Sequence, residues 1–78
     1  MFNFFKKKEK PFQMEDLEGH VLKPGDKVMS LRYDLGECVI IGKERSIEYE
    51  SLKTGERVHY AKMIDAASGR QKVRKISG

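Results

Sequence analysis

Lys23-Pro24-Gly25-Asp26-Lys27-Val28, running on through Tyr33 and Gly36 to Cys38-Val39-Ile40-Ile41, is the stretch that decides the fold. Pro24 presets the backbone for the first central position of a type II turn, and Gly25 supplies the left-handed conformation that the second requires. Asp26-Lys27-Val28 then opens a strand over residues 26–31. Asp34-Leu35-Gly36 turns the chain, and a second strand covers residues 37–42. An apolar run such as Cys38 to Ile41 has two faces to cover. One fills a core, and the other needs sheet curvature, a covering segment or a partner.

Outward from this hairpin the period of two continues. Ile47 and Tyr49 share one face and Ser46, Glu48 and Glu50 the other, which describes a half-buried strand over residues 45–52. Lys53-Thr54-Gly55-Glu56 is a tight-turn signal, and residues 57–61 return with Val58 and Tyr60 inward and Arg57 and His59 toward water. With Thr54-Gly55 as the loop, Ser51 faces Val58, Glu50 faces His59 and Tyr49 faces Tyr60. Residues 62–67 read as a turn or 3₁₀ segment plugged by Met63 and Ile64, and the last strand covers residues 71–76 with Val73 inward. The expected fold class is therefore all-β. Five short strands with a short helical turn before the last describe an SH3-like barrel over residues 21–78.

Residues 1–20 differ in composition and read as a flexible N-terminal arm. All four phenylalanines, Phe2, Phe4, Phe5 and Phe12, fall here with Lys6, Lys7, Lys8 and Lys10, followed by Pro11 and the acidic Glu15, Asp16 and Glu18. Met14 to Leu17 suits one helical turn, stopped by Gly19. The phenylalanines are candidates to cover an apolar groove on the body or to enter a lipid headgroup region. With Pro11 so near, the arm makes a poor amphipathic helix, so membrane association is not expected.

Seventy-eight residues allow one domain. A core of this size rarely supplies more than about 3–5 kcal/mol, and the single cysteine permits no internal disulfide. The sequence has no apolar stretch near the ~20 residues that cross a bilayer and no secretory leader pattern, so a cytoplasmic monomer is the expectation. The net charge of +4 is unevenly spread. Residues 19–65 hold eight basic and eight acidic side chains, and the surplus lies in Arg70, Lys72, Arg74 and Lys75.

The segment from Lys23 to Ile41 resembles the opening of CarD-type domains and, more loosely, KOW and Tudor barrels. The shared residues are Gly25-Asp26-Lys27-Val28, Tyr33 and Gly36. CarD-type domains are RNA-polymerase-interaction modules that also occur in transcription-repair coupling factors. The resemblance implies a barrel that docks on RNA polymerase through an exposed sheet edge.

The chemistry-bearing residues are few. His20, His59 and Cys38 show neither a triad pattern nor metal-ligand spacing, so no enzymatic activity, metal or cofactor is expected. Cys38 reads as a packed hydrophobe. Tyr49 and Tyr60 fall on inward faces, which leaves Tyr33 as the exposed aromatic. The favoured reading is a protein-binding adaptor using Tyr33, Leu35, Ile40 and Ile41. The alternative is a nucleic-acid-binding barrel, in which Arg70, Lys72 and Arg74 project from one strand face, with Lys75 beside them, to track phosphates. A charged edge strand that deters aggregation explains the same residues.

Overall fold

The computed structural model describes residues 13–77. Expectations that fall on Phe2 to Phe12 lie outside the described residues. The described chain is mostly β, with seven strands: β1 (Met14–Glu15), β2 (Val21–Leu22), β3 (Lys27–Ser30), β4 (Glu37–Ile41), β5 (Glu48–Ser51), β6 (Arg57–His59) and β7 (Val73–Ser77). Strands β3 to β7 form one antiparallel sheet in the order β6-β5-β4-β3-β7, and β1 pairs with β2 in a separate two-stranded sheet. Short 3₁₀ turns occupy Glu44–Ser46 and Tyr60–Met63.

The Pro24-Gly25 turn forms as its residues dictate. Gly25 has φ +97°, and the Asp26 N–H closes the turn on the Lys23 carbonyl at 3.0 Å. The Asp26 carboxylate accepts the Lys23 N–H at 2.9 Å, which pins the turn from its other side. Alternation then sorts the side chains. Val28, Cys38, Ile40, Tyr49, Val58 and Val73 all point inward, joined by Leu35, Ile47 and Met63. Burial pushes both the Cys38 thiol and the Tyr49 phenol above their ordinary values, so each stays neutral. The Tyr49 hydroxyl donates to Gln71 Oε1 at 2.7 Å inside the core.

Several expected details are corrected. The β5–β6 hairpin is shifted by two residues, with Tyr49 opposite Val58, Glu50 opposite Arg57 and Glu48 opposite His59. Every side chain keeps its face, because a two-residue shift preserves the pleat. Ser51 causes the shift. Its buried hydroxyl donates to the Leu35 carbonyl at 2.8 Å and accepts the N–H groups of Lys53 and Thr54, so the strand stops there and the loop lengthens. Residues 44–46 turn before the strand begins, and Tyr60 is half-buried at the start of a 3₁₀ turn. Met63 plugs the core alone, since Ile64 is exposed. The last strand begins at Val73, after a single bridge between Ile64 and Gln71.

The folded body also begins earlier than the boundary expected after residue 20. In place of a helical turn at Met14 to Leu17 there is a β-hairpin whose Met14 and Leu22 enter the core. Asp16 shapes its turn. The Asp16 N–H donates to the His20 carbonyl and its own carbonyl accepts from Gly19, both at 3.0 Å. The Asp16 side chain, 0% exposed, accepts four hydrogen bonds: from the N–H groups of Glu18 at 2.9 Å, His20 at 2.8 Å and Lys75 at 2.9 Å, and from His20 Nδ1 at 3.0 Å. Burial alone would raise its pKa, but these donors outweigh it and hold the carboxyl at about 2.

Candidate peptide-binding groove

The two terminal strands of the large sheet have unlike edges. Along β7, the Gln71 N–H donates to the Glu15 carbonyl at 2.8 Å and the Leu17 N–H to the Val73 carbonyl at 3.3 Å. The Asp16 carboxylate takes the Lys75 N–H. Residues 15–17 thus cover that edge. Among the described residues, strand β6 has no such cover. Val58 pairs with Tyr49, and the alternation of an antiparallel ladder turns the N–H groups of Arg57 and His59 away from β5. No described backbone group bonds to either of them.

The β3–β4 loop stands beside this open edge. The Ser30 N–H closes it on the Gly36 carbonyl at 2.9 Å, and Tyr33 and Asp34 both sit in the left-handed region, at φ +60° and +54°. Two successive positive φ values make a type I′ turn, which ordinarily takes Asn-Gly. A tyrosine there costs roughly 1–2 kcal/mol. The strained conformation holds the Tyr33 ring half exposed, with the Arg32 guanidinium 5.1 Å from its centroid. Arg32 Nη1 donates to the Lys62 carbonyl at 3.1 Å, and the Tyr33 hydroxyl approaches the same oxygen at 3.5 Å. The loop is thereby fastened to the 3₁₀ turn at Tyr60–Met63.

Between loop and strand lies a groove of about 550 Å³, lined by Tyr33, Glu48, Glu56, Arg57, Val58, His59 and Lys62. His59 is structural. Its Nδ1 accepts the Ala61 N–H at 3.1 Å and its Nε2 lies 3.0 Å from the Arg45 carbonyl, so the imidazole caps the 3₁₀ turn with both nitrogens engaged.

Of the residues expected to bind protein, Tyr33 is exposed in this groove. Leu35 and Ile40 are corrected: each is 1% exposed and belongs to the core. The Leu35 carbonyl anchors Ser51, which draws the loop residue inward, and Ile40 points to the filled face of β4. Ile41 is half-buried on the opposite face, across from Glu48, and does not line the groove.

Val73 is buried between Lys72 and Arg74, as expected, and Gln71 is buried too, but each of Arg70, Lys72, Arg74 and Lys75 faces a carboxylate. Arg70 Nε lies 3.3 Å from Glu15, Lys72 Nζ 3.7 Å from Asp65, Arg74 Nε 3.8 Å from Glu18 and Lys75 Nζ 3.5 Å from Asp26. Arg57 is likewise 3.6 Å from Glu50. Cys38 is buried, as expected of a packed hydrophobe.

The sequence reading missed Asp16. The signal was present, since an Asp three residues before a Gly is a turn pattern. Asp16, Glu18 and His20 offer ligand atoms within 4.8 Å of one another. Four N–H donors already occupy the Asp16 oxygens, so the cluster is a structural knot.

No family model matches the chain, and no curated protein or solved structure is detectably similar to it. Among the described residues no helix is long and apolar enough to cross a membrane.

Proposed function

We propose that this protein is a non-enzymatic protein-binding module that takes an extended segment of its partner as an added strand along β6. One observation carries the reading: residues 15–17 cover the β7 edge, whereas among the described residues β6 is left open beside an exposed, strained tyrosine. An added strand gains main-chain hydrogen bonds from the outward groups of Arg57 and His59, while the Tyr33 ring packs over it. The strand order and the 3₁₀ turn before the last strand support the finer reading of an SH3-like barrel. RNA polymerase, which the resemblance of residues 23–41 implies, is the first full-length partner to test. The ion pairing of Arg70, Lys72, Arg74 and Lys75 ranks nucleic acid below protein as a ligand.

The test is a screen of blocked octapeptides against the full chain, with the best binder mapped by amide chemical shifts. The Arg57 and His59 amides are expected to shift and gain protection from exchange. Tyr33→Ala is expected to weaken binding about tenfold while the chain stays folded. A binder that maps to the β7 side, or full affinity in Tyr33→Ala, would refute the reading.

A further inference from the structure

Lys62 lines the groove, and Arg32 stands beside it with its guanidinium 5.1 Å from the Tyr33 ring centroid; among the described residues neither has a carboxylate within ion-pair distance. Both are exposed, and the bond from Arg32 to the Lys62 backbone carbonyl holds the guanidinium next to residue 62. At the other end of β6 stands Glu56, which among the described residues has no cationic partner either. Glu48 lies one strand behind β6, and Glu50 is engaged by Arg57. A strand added antiparallel to β6 begins near His59 and Lys62 and finishes near Glu56.

We infer that the groove selects extended segments whose leading outward side chain is a carboxylate, seated between Arg32 and Lys62, and disfavours a carboxylate at the trailing end near Glu56. The inference rests on the groove being the binding site. Its physical basis is charge complementarity at a position already crowded by an aromatic ring, where a charge-assisted hydrogen bond from a guanidinium is partly shielded from water. The residue after the carboxylate points inward beside Val58 and is expected to be apolar.

The experiment uses the full chain and three blocked peptides, acetyl-Thr-X-Val-Thr-Val-Thr-amide with X as Glu, Gln or Lys. Amide shifts at Arg57 and His59 report strand addition, and dissociation constants report the charge preference. The Glu peptide is expected to bind about fivefold more tightly than the Gln peptide at low salt, and the Lys peptide most weakly. The ratio is expected to fall toward one in 0.5 M salt, about where screening lengths drop below the reach of the pair, and in the Arg32→Gln/Lys62→Gln variant. Equal affinity of the Glu and Gln peptides with β6 shifts intact would overturn the charge preference alone. Absence of β6 shifts with every peptide would overturn the groove as the site, and the preference with it.

Discussion

Replacing Asp16 by Asn changes one atom pair and tests how the β1–β2 hairpin is held to the sheet. In the native protein the carboxylate accepts four N–H donors, two per oxygen. The amide oxygen introduced by D16N can keep the bonds from Glu18 and His20. Its NH₂ would then face the Lys75 N–H, donor against donor, while His20 Nδ1 can accept from it in its other tautomer. A carboxyl held at about 2 instead of 3.8 contributes roughly 2 kcal/mol at neutral pH. The lost bond from the Lys75 N–H, the buried donor–donor contact left in its place and the lost carboxylate charge predict a cost of about 2–4 kcal/mol, large for a core that rarely supplies more than about 3–5 kcal/mol. The sign follows from the lowered folded pKa. The contribution is complete above pH 4 and is lost as the pH falls through 2. Urea denaturation followed by circular dichroism is expected to show D16N destabilised by about 2–4 kcal/mol at pH 7, with the gap narrowing by roughly 1 kcal/mol at pH 3. A gap below about 0.5 kcal/mol at pH 7, or one that does not change with pH, would refute the assignment of Asp16 as the knot.

Gly42→Ala places a Cβ 2.5 Å from the Ser46 carbonyl oxygen at φ +86°, and should cost about 2–3 kcal/mol in thermal or urea unfolding. Tyr49→Phe removes the buried donor to Gln71 and is expected to cost about 1–2 kcal/mol, much of it regained in Tyr49→Phe/Gln71→Leu, which removes both partners. Ile40→Asp should unfold the chain, since it buries a charge in the core, whereas Ile41→Asp should cost about 1 kcal/mol and remain folded by circular dichroism.

The parts legible in the sequence were those that local pattern determines. The Pro24-Gly25 turn, the inward set of Val28, Ile40, Tyr49, Val58 and Val73, and the short turn before the last strand all follow from turn chemistry and a period of two. The hairpin register did not. Faces alone admit any even shift, and the choice rests on the Ser51–Leu35 bond between residues 16 apart. Leu35 looked like an exposed loop residue for the same reason, because what buries it comes from another hairpin. Met14 and Asp16 belong to the body through contacts with β7, which no window around residue 14 contains. Of the candidate site, Tyr33 was visible as an exposed aromatic, while the open edge of β6 depended on which other edge the chain chose to cover.

The Asp16–Lys75 bond joins residues 59 apart, so the last strand docks against nearly the first. On a ribosome, the hairpin at residues 14–22 waits for almost the whole domain to be made before its carboxylate meets that final amide. Every earlier nascent length exposes a row of hydrogen-bonding groups on β3 that β7 later satisfies. Completion of this fold therefore waits on residue 75, and nascent chains stalled before it are the form most exposed to proteases and to unwanted strand pairing.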